Sequence, residues 1–242
     1  MSGILRGACF IFFFFTFGRY IVTPLQLIKL LGKNKMLNSV ALDGPDFSGK
    51  STLAKMIQAM LRSAGVNVII VNHPTNTTEA GISARSLVIQ HASNERIAKA
   101  MCLDFQYTMD FVVPEHDVVI FDRFCQSTIV YQGVDGKGEV FRSRVLDHIN
   151  APKLYVATDV SYETATERFK KRAEAQGKNW DDEVLTAKYL RSQTDWDALR
   201  DHYRFAFHIT TDGGDKFPLM RVTADDDIAL QAARIVERIL AG

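Results

Sequence analysis

The stretch LDGPDFSGKSTLAKM, residues 42–56, narrows what this chain can fold into more than any other. It holds G-x-x-x-x-G-K-S, with Gly44, Gly49, Lys50 and Ser51 at the required spacing. The glycines allow a tight loop whose backbone N–H groups converge on phosphate oxygens, and the helix that follows adds the positive end of its dipole. Lys50 reaches the outer phosphates as a point charge, and the Ser51 hydroxyl is a ligand for Mg²⁺. The pattern carries meaning only between a strand and a helix. SVALD, residues 39–43, reads as a buried strand, and a helical pattern runs over about 50–64 before Gly65 stops it.

The rest of the chain repeats that alternation. VNVIIV (66–71), DVVIFD (117–122), KLYVAT (153–158) and LMRVTA (219–224) read as further strands. One helical stretch is capped by Asn94 and runs toward Pro114, and another is capped by Ser161 and reaches about 175. A third starts near 182 and carries Trp196, Leu199, Tyr203 and Phe207 on one face. The last shows Ile228, Ala232, Ile235 and Ile239 at helical spacing. Both stripes read as core. The order predicts an α/β fold, a five-stranded parallel sheet with helices on both faces.

Composition excludes several function classes. Residues 1–42 hold five of the 29 basic side chains and none of the 28 acidic ones, so the remainder is mildly acidic and has no basic stripe for long nucleic acid. The three cysteines are odd in number, widely spaced and form no C-x-x-C pair, which argues against a disulfide framework or zinc site and for a reducing compartment. The run ACFIFFFFTF, residues 8–17, is apolar, but Gly18 and Arg19 end it short of the roughly 20 residues a spanning helix needs. Three readings of residues 1–35 stay open: a start placed too early ahead of Met36, an organelle-targeting segment, or a membrane or partner anchor. The first goes with a cytoplasmic protein.

Beyond the loop, the third strand ends in FDRFCQSTIVYQG, residues 121–133. Asp122 and Arg123 stand at the carboxyl edge of the sheet, where ligands bind in such folds. Arg123 suits a second phosphate, because its fork binds bidentately. A structural ion pair is the plain alternative. The strand ends in DRFC rather than running directly into a D-x-x-G, and no N-K-x-D occurs, so a GTPase reading fails.

These segments, in this order, resemble the thymidylate kinase family, P-loop enzymes that move a phosphoryl group from ATP to dTMP. The resemblance rests on LDGPDFSGKST, HPTNTTEAG (73–81), DRFCQSTIVYQG and a basic, lid-like region near 168–182, and covers residues 36–242. It implies a P-loop kinase fold, Mg²⁺ as cofactor, nucleotide substrates and a homodimer. Gly44, Ser48, Gly49, Lys50, Ser51 and Thr52 would hold ATP, with Lys50, Asp122, Arg123 and Arg172 serving the chemistry. On the acceptor side, Asp46 would face the 3′-hydroxyl and Arg123 the phosphate. Pro74, Ser127, Thr128 and Gln132 would lie near sugar and base, and Tyr131 would press on the 2′ position. Phe105 falls where the family stacks an aromatic ring on thymine; as a core residue it would have no such role.

Three departures bear on specificity. Asn76 stands where members carry an Arg in the second segment. LDFQYTMDF (103–111) lacks the base-reading Arg and offers Asp104, Gln106 and Asp110 instead. Position 47 is Phe where some members place an Arg, so that charge would come from Lys170, Lys171, Arg172 and Lys178 around Gly177. The expected activity is phosphorylation of a deoxynucleoside monophosphate, dTMP first. Another or modified pyrimidine deoxynucleotide, a deoxynucleoside kinase and a non-catalytic nucleotide-binding protein are the alternatives.

Overall fold

The computed structural model describes residues 15–17, 20–22, 37–133, 150–179, 189–211 and 217–242. Most of the N-terminal extension, residues 180–182 of the expected lid, and the expected helical stretch from 182 to 188 lie outside the described residues. Within the extension, β1 (Phe15–Phe17) and β2 (Tyr20–Val22) pair antiparallel. No helix among the described residues is long and apolar enough to cross a membrane.

The body is a five-stranded parallel sheet made of β3 (Ser39–Asp43), β4 (Val68–Asn72), β5 (Val118–Asp122), β6 (Leu154–Asp159) and β7 (Leu219–Thr223), in the order β4-β5-β3-β6-β7. Among the described residues, seven α-helices connect or flank the strands: α1 (Lys50–Ser63), α2 (Glu79–Ile89), α3 (Asn94–Tyr107), α4 (Cys125–Gln132), α5 (Tyr162–Ala175), α6 (Gln193–Thr211) and α7 (Ile228–Ala241). A sheet covered on both faces needs apolar side chains on both, which is why the central strands read as unbroken apolar runs. Successive side chains then divide between the faces. Val40, Leu42, Ile120 and Val156 join Ile57 and Leu61 of α1 and Ile235 and Ile239 of α7. Ala41, Phe121 and Tyr155 join Phe105 of α3, Phe124, and Trp196, Leu199 and Phe207 of α6. Burying each large aliphatic side chain contributes about 1.5–3 kcal/mol, so both predicted stripes are core elements.

The ends of these elements differ in detail from the sequence reading. Asn94 is the first helical residue of α3 and Ser93 occupies the cap, without a side-chain cap bond. The helix does not run smoothly to Pro114. It passes into a π-turn (Thr108–Val112) and a 3₁₀ turn (Val113–Glu115). Ser161 caps α5 as predicted, its hydroxyl accepting from the Thr164 N–H. Asp227 caps α7 by accepting from Ala229 and Leu230.

Candidate active site

The site forms at the carboxyl edge of the sheet, where β3 and β5 pair with Leu42 opposite Asp122. Its organising side chain is Asp43, fully buried at the end of β3. One carboxylate oxygen accepts from the Gly44 N–H (2.9 Å) and the Ser127 hydroxyl (2.6 Å), the other from the N–H groups of Phe124 (3.0 Å) and Ser127 (2.8 Å). Asp43 thus caps α4 from another strand while holding the first residue of the phosphate loop. Burial raises its pKa, opposed by Arg123, these donors and Lys50.

The loop itself is tightly built. Gly44 has φ 150°, and a Cβ there would stand 2.1 Å from the Thr158 carbonyl oxygen, so β6 leaves no room for a side chain. Ser48 donates to the Pro45 carbonyl (2.8 Å) and its oxygen lies 2.7 Å from the Thr158 hydroxyl. Gly49, at φ 84°, turns the chain into α1. Lys50 folds back over the loop, donating to the carbonyls of Gly44 (2.9 Å) and Pro45 (2.6 Å). Burial and the nearby Arg123 charge hold its pKa down to about 8. Ser51 donates to Asp122 at 2.5 Å, and Thr52 lines the same cleft.

Across the loop, Arg123 has φ 75°, a left-handed backbone that costs a non-glycine residue roughly 1–2 kcal/mol. Its N–H donates to the Leu42 carbonyl (3.0 Å), and its guanidinium pairs with Asp46 and donates to the Ser127 hydroxyl (3.0 Å). Tyr131 donates to the second Asp46 oxygen (3.3 Å), and the Arg123 guanidinium lies 5.9 Å from its ring centre. Ser127 has no hydrogen-bonding capacity left: it donates to Asp43 and accepts from Arg123 and from Tyr203, 3.0 Å away. Thr128 is buried beside it on α4, and its hydroxyl has no hydrogen-bond partner among the described residues.

A cleft of about 730 Å³ runs from Asp46 and Arg123 over the loop residues 47–53 and Asp122 to Val222, Thr223, Ala224, Ile228 and Gln231. The far wall, contributed by the β7–α7 turn, was not picked out from the sequence. The signal available was its place at the carboxyl edge of the last strand. Arg172 lines the cleft and so does Arg168, unnamed in the sequence reading. Arg168 donates to the Phe47 carbonyl (2.7 Å) and the Ala224 carbonyl (3.2 Å), tying the loop to the far wall. Phe47, where an arginine was looked for, packs edge-on against Phe169 at 5.3 Å and so seats α5 on the loop. Lys170, Lys171 and Lys178 are exposed, and Lys171 pairs with Glu167 (2.6 Å).

Six of the eight expected acceptor residues do not line this cleft: Ser127 and Tyr131, placed above, and Phe105, Pro74, Thr128 and Gln132. Phe105 is 0% exposed, with His73 at 4.6 Å and Phe124 at 4.7 Å against its ring. The ring has no open face for a base, and the core alternative describes it. Pro74 and Gln132 are half-buried and, like Thr128, do not line the cleft. Among the substitutes for the missing arginine, Asp104 is fully buried and accepts from the Thr75 N–H (2.7 Å), the Thr75 hydroxyl (2.6 Å) and the Thr78 hydroxyl (2.5 Å). It holds the loop after β4. Asn76, Gln106 and Asp110 are exposed.

The sequence model of a family described as "Thymidylate kinase" matches residues 42–195. A protein of Xylella fastidiosa strain Temecula1 named thymidylate kinase is 34% identical over 101 residues, which covers 40% of this chain and 49% of that one. A protein of Sulfurisphaera tokodaii named probable thymidylate kinase is 24% identical over 157 residues, or 64% of this chain and 78% of its own length. A thymidylate kinase of Xanthomonas euvesicatoria is 31% identical over 101 residues, 40% of this chain and 45% of its own. The chain thus spans about half the length of the first of these relatives. The family match takes in the phosphate loop, the Asp122–Arg123 strand end and all of α5, well over half of the chain, and on that ground the chain belongs to the thymidylate kinase family.

Proposed function

We propose that this protein transfers the terminal phosphoryl group of ATP to a deoxynucleoside monophosphate, with dTMP the preferred acceptor. The observation that carries the reading is the two-ended cleft: the Arg123 fork and Asp46 at one end, the β7–α7 wall with Arg168 at the other, and the phosphate loop between them. A switch or motor needs the loop and the wall, but no second anion grip. The base preference rests on family membership.

The acceptor is a phosphate monoester with a second pKa of about 6, already a dianion near neutrality, so no general base is required. An acceptor oxygen bonds to the γ-phosphorus of ATP as the bond to the β–γ bridging oxygen breaks, releasing ADP. Lys50 would exchange its loop carbonyls for phosphate oxygens, and Arg123 would exchange Asp46 for the acceptor phosphate, freeing Asp46 for the sugar. Tyr131 would border the 2′ position. Ser51 and Asp122 form a pair of hard oxygen donors 2.5 Å apart beside the loop, a set that fits Mg²⁺ completed by phosphate oxygens and water. Bound there, Mg²⁺ supplies charge neutralisation on the phosphate oxygens.

ADP release with ATP and Mg²⁺ tests the reading across dTMP, dUMP, dCMP, UMP and thymidine. Fast turnover of dTMP and slow turnover of UMP is the expected result. Turnover of thymidine alone would make it a nucleoside kinase, and no turnover with any acceptor would make it a binding protein.

The family membership also supports a homodimer. Among the described residues, six of the eight exposed large apolar side chains lie on α2, α3 and the turn after it. Leu103, Tyr107 and Phe111 follow at intervals of four and form one stripe, which a second copy related by a two-fold axis would cover. The combined variant Tyr107→Glu, Phe111→Glu is expected to sediment as a monomer at concentrations where the unmodified protein is a dimer. A dimer in both would place the interface elsewhere.

A further inference from the structure

His73 is a titratable side chain that the proposed chemistry does not use, yet it stands at the turn that presents both Asp122 and Arg123. It is 3% exposed. Phe105 meets it edge-on at 4.6 Å, Phe121 stacks on it at 5.5 Å and Phe124 lies at 6.0 Å. Its backbone N–H donates to the Asp122 carbonyl (3.3 Å). Its ring Nδ1 lies 3.2 Å from the Arg123 carbonyl and Nε2 lies 3.1 Å from the Thr108 hydroxyl.

The protonation state follows from the surroundings. The ring is walled in by three aromatic rings and meets one carbonyl and one hydroxyl, a pairing that a neutral imidazole with one proton completes. The Arg123 carbonyl can only accept, which puts that proton on Nδ1. Nε2 then accepts from Thr108. The Asp104 carbonyl, the other acceptor for that hydroxyl at 2.8 Å, keeps the Thr108 backbone N–H. Every polar group in the relay is satisfied in this tautomer and in no other neutral one.

We infer that His73 is a positioning residue for the acceptor phosphate: its Nδ1–H holds the Arg123 carbonyl and thereby keeps the left-handed turn that aims the guanidinium into the cleft. The inference rests on the proposed acceptor role of Arg123. Asp122 is reached through the His73 backbone N–H, which a substitution at 73 retains, whereas the ring itself bonds Arg123, so the effect falls on the acceptor. An apolar ring at position 73 would fill the box equally well, so packing alone gives no reason for an imidazole.

Three measurements test this. In ¹⁵N-histidine NMR near pH 7, one imidazole that disappears in His73→Phe should show a protonated Nδ1 and a bare Nε2. His73→Phe should lose about tenfold in affinity and kcat/KM for dTMP, keep its KM for ATP within about twofold, and keep its Tm. His73→Asn places an amide N–H near the old Nδ1 position. It should recover part of the dTMP loss while lowering Tm, a recovery opposite in sign to stability. A protonated Nε2, an unchanged dTMP affinity in His73→Phe, or equal losses for ATP and dTMP would each overturn the inference. Should the unmodified protein bind no monophosphate, the functional reading falls, and the tautomer decides alone whether the His73–Arg123 link stands.

Discussion

Lys50→Ala lowers phosphoryl transfer by about a thousandfold, the scale expected when a preorganised charge at the transferring group is lost. The fold survives this change. Among the described residues, the hydrogen bonds of Lys50 go to carbonyls of its own loop and to Ser48, and Asp43 keeps its four donors without it. A circular dichroism spectrum and Tm close to those of the unmodified protein, with single-turnover transfer almost abolished, is the expected pair of results. Normal turnover in this variant would remove the loop from the chemistry. The same residue sets a pH dependence. With its pKa held at about 8, the ammonium is the main form at pH 7 and is lost as pH rises through 8. kcat/KM for ATP, which reports the free enzyme, should therefore fall on that basic limb. Phosphates beside the ammonium favour its charged form, so kcat should hold to higher pH. The basic limb of kcat/KM should be absent in Lys50→Arg.

Arg123→Ala is expected to lose about a hundredfold to a thousandfold in kcat/KM for the acceptor, with KM for ATP little changed. Its ion pair with Asp46 is half-exposed, with side-chain exposures of 27% and 53%, and such pairs are worth about 0–1 kcal/mol. The variant also removes a strained left-handed side-chain-bearing residue only in part, since alanine shares the restriction. Stability should consequently move little, and the loss should be read as lost binding of the second phosphate. Arg123→Lys should recover little of it, because a point charge on a flexible stem cannot reproduce the fork that now spans Asp46 and Ser127. Equal loss for ATP and acceptor would mean that Arg123 serves the donor.

The residues legible in the sequence are those whose meaning is local. The strands announced themselves because a strand buried on both faces needs an apolar run, as in β3 and β5, where every residue is buried. The phosphate loop and the Asp122–Arg123 pair could be read because spacing within a few residues defines them. Asp43 could not, because its partners Phe124 and Ser127 lie 81 and 84 positions away. Asp104 looked like a free acid on a helix until folding brought Thr75 and Thr78 to it. Arg168 and Arg172 belong to one basic stretch, and only the packing of Phe47 on Phe169 singles out the reach of Arg168 to the loop. Phe105 shows the limit of analogy: helical register put an aromatic ring in about the right place, and the core buried it completely.

Asp43 also sets where this molecule can bend. Four donors from two elements converge on one buried carboxylate, and hydrogen bonds to a charged acceptor are worth about 1.5–3 kcal/mol each. The phosphate loop and the acceptor helix α4 therefore travel as one rigid jaw, their separation settled when the chain folds. The opposite wall of the cleft is made by α5 and the β7–α7 turn. Among the described residues, Arg168 and the Phe47–Phe169 ring pair join that wall to the loop.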